Sequence, residues 1–116
     1  MNIQQAIQKL VETIAQVVKS DGIRTSLPDD TYEVSYGPKW AKIVCREHYR
    51  DGRSELGPTY CFVCLEDHFT ATLGYCAAGD IHKAASHSKP AKHARGNVFD
   101  PKYRQALTPY GIVYLK

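Results

Sequence analysis

Between Ile81 and Phe99 the chain carries Lys83, Lys89, Lys92 and Arg95, three histidines (His82, His87 and His93), and no Asp or Glu. The local charge is +4 in a chain of net charge +3, so the basicity belongs to this stretch and the remainder is slightly negative. Cations spaced as Lys89, Lys92 and Arg95 are would share one face if the segment turns helically. Arg95-Gly96-Asn97 combines a guanidinium with accessible backbone amides, a pairing that suits phosphate oxygens. Tyr75, Phe99 and Tyr103 supply rings on which a base could stack. The expected contacts to nucleic acid, or to a nucleotide, are therefore Lys83, Lys89, Lys92, His93, Arg95 and Asn97. The same charges would also fit an acidic protein surface, or simply solvate a loop. Phe99 has a second reading, as an anchor pinning the far end of this loop to the core.

A metal is the next chemistry to weigh. Cys45-x2-His48 and Cys61-x2-Cys64 have ligand types and spacing that suit zinc, and His68 or Cys76 could substitute. Both pairs fall in stretches that read as strands. Residues three apart on a strand point to opposite faces, so each pair needs a bulge or knuckle to reach one ion. CREH and CFVC lack the glycine or turn that builds a knuckle, and the apolar filling of the second pair suits buried thiols. Free core cysteines are the expectation, with no metal and no other cofactor.

Catalytic signatures are weak. The sequence contains no G-x-S-x-G, H-E-x-x-H or phosphate-cradling glycine loop. Nothing places a cysteine on a strained turn or helix start where its pKa would fall. Asp80 and His82 share a strand face within reach of a hydrogen bond, an arrangement more often structural than catalytic. The expectation is a binding protein and not an enzyme.

These groups need a scaffold, and the 116 residues, 43% of them hydrophobic, suit one domain. Ile3, Ile7, Leu10, Ile14 and Val17, widened by Ala6, Val11 and Val18, predict a helix over 2–20, with Asn2 and Gln5 as a capping box. Its apolar stripe serves either the domain's own sheet or a dimer or partner face. Ser20–Asp30 reads as a connector. Alternation then predicts strands at Tyr32–Tyr36 and Trp40–Tyr49, a polar turn running to Gly57-Pro58, a central apolar strand at Thr59–Glu66, a loop at Asp67–Thr72 and a fourth strand within Leu73–Ala85. Residues 86–100 read as a basic loop or helical turn. Asp100-Pro101 opens a helical turn, and a terminal strand is expected at Ile112–Leu115. The fold class is α+β, with the N-terminal helix packed on a four- to five-stranded antiparallel sheet. MNIQQAIQKL lacks the features of an export signal, and no apolar run is long enough to cross a bilayer. With four cysteines, this points to a reducing cytoplasm and no membrane partner.

The C-terminal half carries a resemblance. GDIHKAA, PAKHARGN and YGIVYLK are similar to G-D-x-x-K-A-A, P-A-K-x-x-R-G-N and Y-G-x-x-Y-L-[KR] in a small family of tailed-bacteriophage proteins without an assigned activity. His87 departs from the pattern, which has an aromatic residue, usually tryptophan, at that place. If that ring stacked a ligand, stacking here is in doubt. The resemblance implies a phage origin and expression in a bacterial cytoplasm. Without enzymatic motifs, the expectation is an accessory protein that binds nucleic acid, or that antagonises host defence by holding a nucleotide signal or a host protein.

Overall fold

The computed structural model describes residues 2–20, 31–108 and 111–112. The helix α1 (Ile3–Ser20) begins with the expected capping box. The Gln5 backbone N–H donates to Asn2 Oδ1 at 2.8 Å, and the Asn2 N–H donates to Gln5 Oε1 at 3.1 Å. Ala6, Ile7, Leu10, Val11, Ile14 and Val18 are buried, with Ile3 and Val17 at the margin of the core. Thr13 is tolerated on this face because its hydroxyl donates back to the Lys9 carbonyl. The stripe is covered by the protein's own sheet, so it does not supply a dimer face.

The sheet is antiparallel and five-stranded, in the order β1 (Thr31–Tyr36), β2 (Trp40–His48), β3 (Ser54–Cys64), β6 (Asp80–Ala84), β7 (Pro90–Asn97). Between β3 and β6 the chain makes a small hairpin, β4 (His68–Thr70) and β5 (Gly74–Cys76). A 3₁₀ helix (Pro101–Ala106) and the short pair β8 (Leu107–Thr108) and β9 (Gly111–Ile112) complete the helix side. Ala41, Ile43, Cys61, Val63 and Ile81 meet α1 there, joined by Val98, Tyr103, Ala106, Leu107 and Ile112.

The opposite face has its own smaller cluster. Phe62 lies in register between Lys42 and His82. The Trp40 ring stands edge-on to Phe62, His68 and His82, with centroids 6.4, 5.5 and 5.0 Å away.

Several boundaries differ from the sequence expectation. The basic loop is a turn followed by an edge strand. Ala85 and Ser86 donate to the Lys89 carbonyl, and β7 then pairs with β6. An edge strand has one neighbour and can be mostly exposed, so it need not show apolar alternation, and lysines are common on such edges. Pro90, as first residue, removes no required ladder bond.

The turn expected through Gly57-Pro58 is strand, because β3 starts at Ser54. Gly57 and Pro58 sit where two residues of β3 oppose Cys45 alone, and this bulge absorbs the proline. A second register shift lies beside it, between Ile43 and Val44, and the alternation expected on β2 is lost there: Ile43, Val44 and Cys45 are all buried. The fourth strand is split into β5 and β6 by a turn ending at Gly79, and the loop before it contains β4. The connector from residue 21 to 30 and the terminal strand beyond Ile112 lie outside the described residues.

Candidate functional site

The β6–β7 hairpin gathers most of the expected cations. Its ladder pairs His82 with Ala94 and Ala84 with Pro90. Lys83 is thereby set against residues 91–93, with Lys92 and His93 as cross-strand neighbours, and Lys89 closes the turn one residue before Pro90. Strands lie about 5 Å apart, so these ammonium groups occupy one end of one hairpin. Lys83, Lys89, Lys92 and His93 are exposed. The two ion pairs among the described residues, Arg46–Glu33 and Arg53–Asp51, lie elsewhere, so no carboxylate among the described residues pairs with the three lysines. The grouping comes from cross-strand register and not from the helical face that the spacing suggested.

Lys42 reaches the turn from the other sheet face, in register with Phe62, whereas Lys83 is in register with Cys61. The His87 ring approaches Lys42 Nζ at 3.4 Å and the Thr59 hydroxyl at 3.0 Å, and the Thr59 hydroxyl also donates to the His87 carbonyl. His87 therefore pins the hairpin turn to β2 and β3.

Arg95 and Asn97 stand apart from this group. Arg95 is half-buried in a bulge of β7. Asn97 is a clasp: its Nδ2 donates to the Ala78 carbonyl at 3.1 Å and to Asp80 Oδ1 at 3.2 Å, while its Oδ1 accepts from the Phe99 N–H at 2.9 Å. That amide is engaged inside the fold. Val98, and not Phe99, is the core anchor: Val98 is buried, and Phe99 is 50% exposed. Tyr103 is buried and cannot stack a base, whereas Tyr75 is exposed on β5.

The zinc set does not assemble. Trp40 pairs with Cys64 at one end of the β2–β3 ladder and His48 pairs with Ser54 at the other, roughly 25 Å apart at strand rise. His48 meets the Thr31 hydroxyl instead, at 3.0 Å. Among the described residues no three His, Cys, Asp or Glu side chains converge as a metal site would need.

All four cysteines are free and buried. Burial pushes the thiols of Cys61 and Cys76 up, and that of Cys64 up to about 11, the reverse of what a nucleophile needs. The Asp80–His82 contact does not form. His82 Nδ1 meets the Ala91 carbonyl at 2.7 Å, and Asp80 Oδ2 accepts from the Ala77 N–H at 3.0 Å.

The fold and this surface define a small α+β domain with a helix-backed sheet and a cationic hairpin on its edge. The chain belongs to a family of unknown function, DUF7717, whose model matches residues 1–110. Comparison with curated proteins and with solved structures returns no match.

Proposed function

We propose that this protein is a non-enzymatic accessory protein that binds nucleic acid through the β6–β7 hairpin, with Lys83, Lys89 and Lys92 as phosphate contacts and His93 beside them. The observation that carries the reading is the set of three exposed lysines on one hairpin with no carboxylate partner among the described residues. A linear, unneutralised cationic edge suits a linear polyanion, and contacts of this kind read charge and not base sequence. Binding without catalysis is supported by the raised thiols and by the engagement of His82 with a backbone carbonyl. The motif resemblance supports a phage origin and action in a bacterial cytoplasm. Among the described residues no helix is long and apolar enough to cross a membrane.

Fluorescence anisotropy with labelled single-stranded DNA and RNA tests the reading. Three phosphate contacts predict a slope of log affinity against log salt near about −2, so affinity falls roughly 20-fold between 50 and 200 mM salt. Substituting Lys83, Lys89 and Lys92 together by alanine should abolish most of that slope while leaving the thermal transition in place. Equal binding by parent and triple variant would refute the proposal.

A second reading, engagement of a host protein, is favoured by Phe69 and Tyr75, paired across β4–β5 and 73% and 64% exposed. A stoichiometric host protein in native mass spectra of material from infected cells, unaffected by the triple variant, would select it.

A further inference from the structure

A half-open cleft of about 300 Å³ lies on the helix side, between α1 and the segment that follows β7. Its lining combines Val98, Phe99, Pro101 and Tyr103 with two cations, Lys9 from α1 and Arg104 from the 3₁₀ helix. No carboxylate is among its described lining residues. The nearest carboxylate in sequence, Asp100, is turned to the cap of the 3₁₀ helix, where Oδ1 accepts from the Lys102 N–H at 3.0 Å.

We infer that this cleft is a binding site for a mononucleotide, with the base on the Phe99 ring and the phosphate between Lys9 and Arg104. Three features point to that class of ligand. The first is the ring. A half-exposed phenylalanine beside buried Val98 and Tyr103 offers an aromatic platform, and every base has a face to stack on one. The second is charge. Neither Lys9 nor Arg104 has a side-chain ion pair or hydrogen bond among the described residues, and they reach the cleft from different elements, so an anion between them meets cations on two sides. The third is preorganisation. The Phe99 N–H is held by Asn97, and its ring lies over Gly79, where a Cβ would come within 2.9 Å of Cδ2. Below it Tyr103 is locked against Gly96, where a Cβ would sit 3.0 Å from Tyr103 Cβ. The ring is thus seated before any ligand arrives, which lowers the ordering cost of binding. The volume is at the small end of ligand pockets and fits one nucleotide, not a strand.

The inference rests on the reading above only in that the ligand carries phosphate, and its residues are separate from the hairpin lysines. Calorimetric titration with AMP, GMP, CMP and UMP, with adenosine and inorganic phosphate as controls, tests it. Saturable one-to-one binding of a nucleoside monophosphate is expected, with adenosine and phosphate each at least 10-fold weaker. Phe99→Ala and Arg104→Ala should each weaken binding about 10-fold, and Phe99→Trp should retain it. The Lys83/Lys89/Lys92 alanine variant should bind the mononucleotide as the parent does. Absence of saturable binding at millimolar nucleotide, binding untouched by either alanine substitution, or phosphate binding as tightly as the nucleotide would overturn the cleft assignment. If nucleotides fail while oligonucleotide binding still depends on the lysines, the cleft alone is wrong. If nucleotides bind and oligonucleotides do not, the hairpin reading is wrong and the cleft stands.

Discussion

His82 carries the clearest residue-level consequence for stability. It is 2% exposed, under the edge of Trp40, and burial is the main force pushing its pKa below the ordinary value of 6.5. The bond to the Ala91 carbonyl and the charge of Asp80 oppose the shift, while His93 and Arg95 add to it. With the folded value depressed, the unfolded chain binds more protons as pH drops below 6.5. Stability is therefore full above that pH and declines as pH falls toward the folded value. Thermal melts between pH 7.5 and 5 should show this decline. His82→Asn, which keeps a donor for Ala91, should flatten it; an unchanged pH profile would assign the effect to another group. The sequence paired His82 with Asp80 on one strand face; its burial and its bond to the Ala91 carbonyl depend on Trp40 and β7, which that pairing does not reveal. Asn97 misled in the same way. Its neighbours suggested phosphate, but two of its three hydrogen bonds depend on a turn more than fifteen residues earlier in the chain.

The element scale shows why that turn matters. Gly79 has φ +90°, and a Cβ there would meet Asn97 Oδ1 at 2.8 Å as well as the Phe99 ring. Gly52 has φ +88° and nothing within 4 Å. Gly52→Ala should cost about 1 kcal/mol for the left-handed backbone, and Gly79→Ala about 2–3 kcal/mol because the clasp must also move. The difference should appear in urea denaturation, and equal midpoints would show that the clasp yields freely. Elements with a strong pattern were legible: α1 from its stripe and capping box, β1 and β2 from alternation, and the second half of β3 from its continuous apolar run. β7 was not, because an edge strand that packs little carries no alternation and looks like a solvated loop. The bulge at Gly57-Pro58 was hidden for the complementary reason. Glycine followed by proline ordinarily ends a strand, and the pairing of Leu56, Glu55 and Ser54 with Arg46, Glu47 and His48 keeps this one going.

At the scale of the molecule, the two sheet faces are unequal. One is closed by α1, the 3₁₀ helix and β8–β9 around aliphatic side chains; the other is closed by Trp40, two histidines and the short β4–β5 hairpin. The fold class followed from the sequence because helix and meander were contiguous blocks. The distribution of function did not. The lysines became neighbours through β6–β7 register, and the cleft joins Lys9 to Arg104 across most of the chain. The basic stretch marked the lysines locally but not their cross-strand arrangement, and the Lys9–Arg104 proximity leaves no local signature.

The placement of the cysteines turns that inequality into a clock. Cys61 lies in the helix-side core, whereas Cys76 belongs to β5 and Cys64 packs against the same hairpin, its Sγ 3.5 Å from His68 Nδ1. Thiols this deeply masked react with an alkylating reagent only when the covering layer lifts. Timed iodoacetamide labelling read by mass spectrometry should modify Cys64 and Cys76 first, at the pace of local hairpin opening, and Cys61 later, at the pace of global unfolding. A single common rate for all three would mean that the hairpin opens only when the whole domain does.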